Sequence, residues 1–84
     1  MKMWFVYIIK CADSTLYTGI TNDVDKRLKK HESGKGAKYT RGRGPFELMH
    51  VEEVENKSEA LKREYEIKQL SKKNKIALWI KKKS

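Results

Sequence analysis

At Glu64 an acid stands where an apolar residue belongs. On a helix drawn at about 100° per residue, Ala60, Leu61 and Ile67 lie within roughly 60° of it on both sides. The carboxylate therefore falls in the middle of the stripe that should face a core. Glutamate is almost never fully buried unless paired, and an unpaired charge there would cost several kcal/mol or be neutralised by a proton. Two readings follow: an ion pair with a cation such as Arg27, or ligation of a divalent cation at the core edge. Arg27 and His31 are four residues apart and so are neighbours on one helix face, the inner side of which is marked by Val24 and Leu28. Tyr7 and Tyr17 fall on two adjacent apolar segments. Singly, each has a structural explanation: a satisfied core histidine, a surface cation, a cross-strand aromatic pair. Together they make a constellation suited to acid–base work beside a charge.

The elements that must hold these residues can be read from periodicity. Met3 to Ile9 is a continuous β-branched and aromatic run, expected of a strand covered on both faces. Ala12 to Thr15 supply turn residues, with Asp13 and Ser14 at the tip, and Leu16 to Ile20 reads as a second strand, giving a hairpin. Thr21 or Asn22 is a candidate N-cap for a helix that runs to about Ser33 and stops at Gly34, with Asp23 and Asp25 in its first turn. Gly34 to Pro45, with four glycines and four cations, reads as an exposed loop. Phe46 to Val54 is a third strand. Asn56 with Glu59 three positions on resembles a capping box opening a helix to about Lys72. Asn74 to Lys82 is a short last helix carrying Ile76, Trp79 and Ile80. The expected architecture is one α+β domain over residues 1–84, a three-stranded antiparallel sheet flanked by helices, in the order β-β-α-β-α-α.

Composition limits what such a domain can do. Eighty-four residues exclude a cleft between two domains. A single cysteine, Cys11, excludes an internal disulfide, and no Cys/His spacing suits zinc. The apolar run at the N-terminus is far short of the ~20 residues that cross a membrane. The expectation is a cytoplasmic, soluble monomer. Net charge is +9, carried by two blocks of +7, residues 26–43 and 67–84, against −1 over 1–25 and −4 over 44–66. Clustering of that kind suits a polyanion, most simply nucleic acid. Lys35, Lys38, Arg41 and Arg43, with Tyr39 among them, would track a phosphate backbone and stack on a base. The basic tail from Lys68 through Lys83 would contact a second stretch. No recognition helix or zinc finger is present, so such contacts would select shape over sequence.

Val6-Tyr7-Ile8 and then Tyr17-Thr18-Gly19, ten residues on, resemble the paired motifs that name the GIY-YIG endonuclease superfamily. The resemblance continues through Arg27 and His31 on the next helix and Glu64 on the one after, and it covers essentially the whole chain. It is greatest to the small single-domain UPF0213 group, related to the nuclease domains of the excision-repair subunit UvrC and of the Slx structure-specific nucleases. The resemblance implies a one-metal phosphodiesterase acting on DNA. Glu64 would hold a single Mg²⁺ or Mn²⁺, a hard ion that prefers carboxylate and water. Arg27 would clamp the scissile phosphate. Tyr17 or Tyr7 would take a proton from the attacking water, assisted by His31, and nearby positive charge would be needed to bring a phenol of ordinary pKa ~10 into range. Ile20 departs from the pattern, standing where some members carry a lysine, and Asn74 is a candidate for an asparagine many members have beyond the glutamate, though a helix cap also explains it. A nucleic-acid-binding module of the same fold with weak or no catalysis is the alternative, with DNA preferred over RNA in either case, and an unidentified protein partner is compatible with both.

Overall fold

The computed structural model describes residues 3–34, 42 and 44–80. Its elements are β1 (Trp4–Lys10), β2 (Leu16–Thr21), α1 (Val24–Glu32), β3 (Glu47–Val54), α2 (Lys57–Lys68) and α3 (Lys72–Ile80). The sheet is antiparallel in the order β2-β1-β3. The most apolar run is thus the central strand, and Val6, Tyr7, Ile8 and Ile9 are all buried, as a strand covered on both faces requires.

Strand alternation divides the sheet into two faces. Val6 and Ile8 point to one, where they pack with Ala60 and Ile67 of α2, and Trp4, Leu16, Ile20, Val54, Leu78 and Trp79 close around them. Tyr7 and Ile9 point to the other, the side on which α1 brings His31 against the rings of Tyr7 and Tyr17. A network anchors the first face at its far edge. Arg63 of α2 donates from Nε to Glu52 Oε1 at 2.7 Å and from its terminal nitrogen to Oε2 at 3.0 Å, and buried His50 meets the same Oε2 at 2.8 Å. Arg63 holds the Glu52 carboxyl below its ordinary value, outweighing partial burial, with His50 adding to the effect.

Several boundaries differ from the sequence expectation, each for a local reason. The N-cap of α1 is Asp23, whose carboxylate accepts from the Lys26 N–H at 3.1 Å. Thr21 Oγ1 instead accepts from the Asp23 N–H at 3.0 Å, fixing the approach. Asn56 caps α2 as expected, accepting from the Glu59 N–H at 2.9 Å. That helix ends at Lys68, short of Lys72, because Ser71 opens a new one: its hydroxyl accepts from the Asn74 N–H at 3.2 Å. Asn74 is therefore an exposed first-turn residue and not a cap. Leu61, expected on the inner stripe, is 47% exposed. At the hairpin tip Ser14 takes a left-handed φ of 69°, closed by the Cys11 N–H to Thr15 carbonyl bond at 2.8 Å and the reciprocal Ser14 N–H to Cys11 carbonyl bond at 2.9 Å. Gly34, at φ 81°, ends α1 as expected.

Candidate active site

Tyr7 on β1 and Tyr17 on β2 do not stand opposite each other. Register pairs Tyr7 with Gly19 and Ile9 with Tyr17, so the two tyrosines are diagonal neighbours with ring centroids 6.3 Å apart. The Tyr7 ring leans over Gly19. A Cβ at position 19 would lie 2.6 Å from Tyr7 Oη, 2.8 Å from Cζ and 3.0 Å from a Tyr17 ring carbon. Glycine is present there because the phenol occupies the space a side chain would need.

From the other direction, α1 lowers two groups onto that phenol. His31 is 1% exposed and its Nε2 lies 2.8 Å from Tyr7 Oη; the Arg27 Nε–H donates to the same oxygen at 3.4 Å. The helical spacing of four residues puts both side chains over one strand residue. His31 also packs edge-on against Tyr17, with centroids 5.4 Å apart, and against Phe46 at 5.8 Å. Phe46 closes the pocket from the start of β3; alternation alone marked it only as a strand residue, and nothing in its spacing tied it to a histidine fifteen positions earlier.

The electrostatics of this cluster set its proton inventory. Burial pushes the Tyr7 phenol above its ordinary value; the hydrogen bond from Arg27 pulls it back only in part, and the charges of Tyr17 and Glu64 push it further up. Burial, and then the Arg27 charge, hold His31 below its ordinary value. The hydrogen bond to Tyr7 is the main cause that raises Arg27. At neutral pH the phenol is therefore protonated and the imidazole neutral. The 2.8 Å hydrogen bond joins the phenol to the imidazole, and in the tautomer protonated on Nδ1 the Tyr7 O–H donates to Nε2. In that tautomer the chain of donors runs Arg27 Nε–H to Tyr7 oxygen, then Tyr7 O–H to His31.

Glu64 comes from the opposite face of the sheet. Ala60 and Ile67 are buried on either side of it, as its helical position requires, and its side chain is 19% exposed. Among the described residues its ionic partner is Lys68, one turn on at 3.3 Å, and not Arg27. Its link to the tyrosine cluster is through space, as one of the charges acting on Tyr7. Four of the five sequence candidates, Tyr7, Tyr17, Arg27 and His31, are thus in mutual contact, and the fifth acts on them electrostatically. Lys35, Lys38, Tyr39, Arg41 and Arg43 lie outside the described residues.

The donor set decides which cation would suit. Among the described residues no three His, Cys, Asp or Glu side chains gather into a cage. A single hard carboxylate, partly exposed, could contribute one oxygen ligand to a divalent cation that keeps most of its waters. Among the described residues no helix is long and apolar enough to cross a membrane.

Known proteins resemble the chain over most of its length. The GIY-YIG catalytic domain profile matches residues 3–77. The UPF0213 protein of Oceanobacillus iheyensis is 58% identical over 74 residues, covering 88% of this chain and 86% of that one. The UPF0213 protein of Halobacterium salinarum is 56% identical over 77 residues, 92% of this chain and all of its own. Among solved structures, the solution structure of the UPF0213 protein of Bacillus halodurans is 55% identical, with a TM-score of 0.58 over 90% of this chain and 81% of that one. A solution structure from E. faecalis is 38% identical, with a TM-score of 0.63 over 93% and 84%.

Proposed function

The chain belongs to the GIY-YIG catalytic domain family, whose function is of the nuclease type, and from that premise we propose that it is a divalent-metal-dependent endonuclease hydrolysing DNA phosphodiester bonds, with selection by structure and not by sequence. The observation that carries the reading is the hydrogen-bonded line Arg27–Tyr7–His31. Tyr7 is the base, with Tyr17 packed against it. A phenol raised by burial is a poor resident anion, and this one need not become an anion in advance. As the Tyr7 oxygen accepts a proton from the attacking water, its own proton passes along the 2.8 Å bond to Nε2 of His31, which is held neutral and ready to accept. The water oxygen bonds to phosphorus, the leaving oxygen departs, and His31 ends the step as an imidazolium.

Arg27 remains charged throughout. Its guanidinium carries five N–H donors, so it can steady Tyr7 through Nε and present others to the scissile phosphate. Glu64 would hold Mg²⁺ or Mn²⁺, which when bound supplies charge stabilisation to the phosphate and the leaving oxygen. A second reading, a nucleic-acid-binding module without useful catalysis, has one observation in its favour: Ile20 packs into the core beside Gly19, so no lysine stands at that position to help the phenol.

Cleavage of labelled single-stranded, duplex and branched DNA with Mg²⁺ or Mn²⁺ separates the two. Structure-dependent cutting, stopped by chelator and abolished in Glu64→Ala and Arg27→Ala, is expected. DNA binding with no cutting of any substrate would overturn the nuclease and leave the binding module.

A further inference from the structure

Beside Glu64, along the β2 edge of the sheet, an open cavity of about 390 Å³ is lined by Leu16, Tyr17, Thr18, Lys68 and Lys75. We propose that this cavity is a second phosphate site, which holds a backbone phosphate of the nucleic-acid strand away from the scissile one. The proposal rests on the nucleic-acid reading above and says where along the molecule the strand runs.

Three observations converge on an anion. Thr18 is 3% exposed, and its hydroxyl has no hydrogen-bond partner among the described residues, an arrangement that costs stability and is removed when a ligand oxygen or its water arrives. Two lysines, Lys68 and Lys75, line the same cavity from two different helices. The first turn of α3, which opens beside it, contains lysines and no acid. Cations at a helix N-terminus oppose the dipole, and a bound phosphate reverses that conflict by meeting both the amide dipoles and the lysines. The cavity walls are held in place: Lys72 donates to the Ser14 carbonyl at 2.7 Å, tying the start of α3 to the hairpin tip.

Lys68 links this site to the reaction centre. Its ammonium lies 3.3 Å from Glu64 Oε2, so one side chain touches both the carboxylate expected to hold metal and the cavity. A strand phosphate in the cavity would give Lys68 a second anion to neutralise and so would loosen its hold on the Glu64 carboxylate.

The test is binding in the absence of divalent ions, where cleavage plays no part. Affinity of the full chain for a labelled single-stranded DNA is measured by anisotropy over a salt series for wild type, Lys68→Gln, Lys75→Gln, Thr18→Val and Lys62→Gln, the last a lysine on the far side of α2. Lys68→Gln and Lys75→Gln are each expected to weaken binding about three- to tenfold and to flatten the log–log salt slope by about 0.7, one phosphate's worth on a single strand. Thr18→Val is expected to unfold at higher temperature yet bind more weakly. Slopes and affinities equal to those of Lys62→Gln would overturn the site, as would a Thr18→Val protein that gains stability at full affinity. A protein that shows these binding losses but never cuts DNA keeps the phosphate site and loses the nuclease.

Discussion

Replacing Gly19 by alanine tests the geometry of the site with one methyl group. The added Cβ would stand 2.6 Å from Tyr7 Oη and 2.8 Å from Cζ, where ordinary contact begins at 3.4 Å. The atom in the way is the end of a side chain, but not a free one. Tyr7 is 1% exposed, its oxygen is held 2.8 Å from His31 Nε2, and its ring is flanked by Tyr17. Retreat therefore strains or breaks a buried hydrogen bond, about 0.5–1.5 kcal/mol, and overpacks the face beneath α1, about 1–3 kcal/mol. Alanine returns about 0.5–1 kcal/mol by restricting the unfolded chain. The net loss is about 0.5–4 kcal/mol, which in a domain of this size lowers Tm by roughly 2–30 °C. Cleavage should fall about a hundredfold or more even where the fold survives, because Tyr7 loses its place between Arg27 and His31. Circular-dichroism melts and the cleavage assay read the two effects. Tyr7→Phe in the same background removes the atom of closest approach, so the double variant should be more stable than the sum of the singles predicts. A Gly19→Ala protein with unchanged Tm and unchanged cleavage would refute the reasoning.

Other outcomes follow from the same contacts. His31 is held below its ordinary value, so as pH falls the unfolded chain protonates first; stability should be full above about pH 6.5 and decline below it until the folded value is passed, and His31→Phe should flatten that limb in urea titrations. Tyr7 is raised, so the sign reverses at high pH: stability should hold below about pH 10 and fall as pH climbs toward the folded value, an effect absent in Tyr7→Phe. Arg63→Met strips Glu52 of both guanidinium bonds and should cost about 1–2 kcal/mol at neutral pH after discounting for partial exposure. Because Glu52 is lowered from 4.5, its contribution should vanish as pH falls through the folded value, and the variant should lose less stability in acid than wild type. Asn56→Ala removes the α2 cap and should cost about 0.5–2 kcal/mol by denaturant unfolding, with the reaction centre unaltered.

The fold was largely legible because its signals are local. A two-faced apolar run became the central strand, and Asn56 became a cap, since each depends on residues a few positions away. Arg27 and His31 were placed together by helical spacing alone. What was not legible was set by how the elements begin and pack on one another. Glu64 has two cations within plausible reach, and only the packed helix shows that Lys68 takes it. Thr21 and Asn22 are as good caps as Asp23 until the strand is seen to run through Thr21. Leu61 shares the inner arc on an ideal helical wheel, but α2 presents Ala60 and Ile67 to the sheet, which turns Leu61 outward. The His50–Glu52–Arg63 network was invisible for a similar reason: its members are an alternating strand pair and a surface-looking arginine, and they meet only when α2 crosses β3.

How so small a domain can host acid–base chemistry also follows from the way the layers meet. A deep cleft requires more chain than this one has, yet a phenol must be shielded from water for its neighbours to govern its proton. The sheet resolves this by lending one central-strand position to the site. Tyr7 is walled by its own sheet on one side and by α1 on the other, which leaves it 1% exposed with its oxygen between Arg27 and His31. Gly19 is the concession in the edge strand that lets the ring lie flat, and Arg27 and His31, a helical turn apart, meet at a single oxygen: one donates to it, and the other accepts from it in the tautomer the relay requires. Exchanging those two residues, Arg27→His with His31→Arg, would keep composition and net charge while reversing the arrangement. A permanently charged group would then replace the only proton acceptor that Tyr7 has in this line, so the relay proposed for the nuclease requires that such a protein fold but not cut.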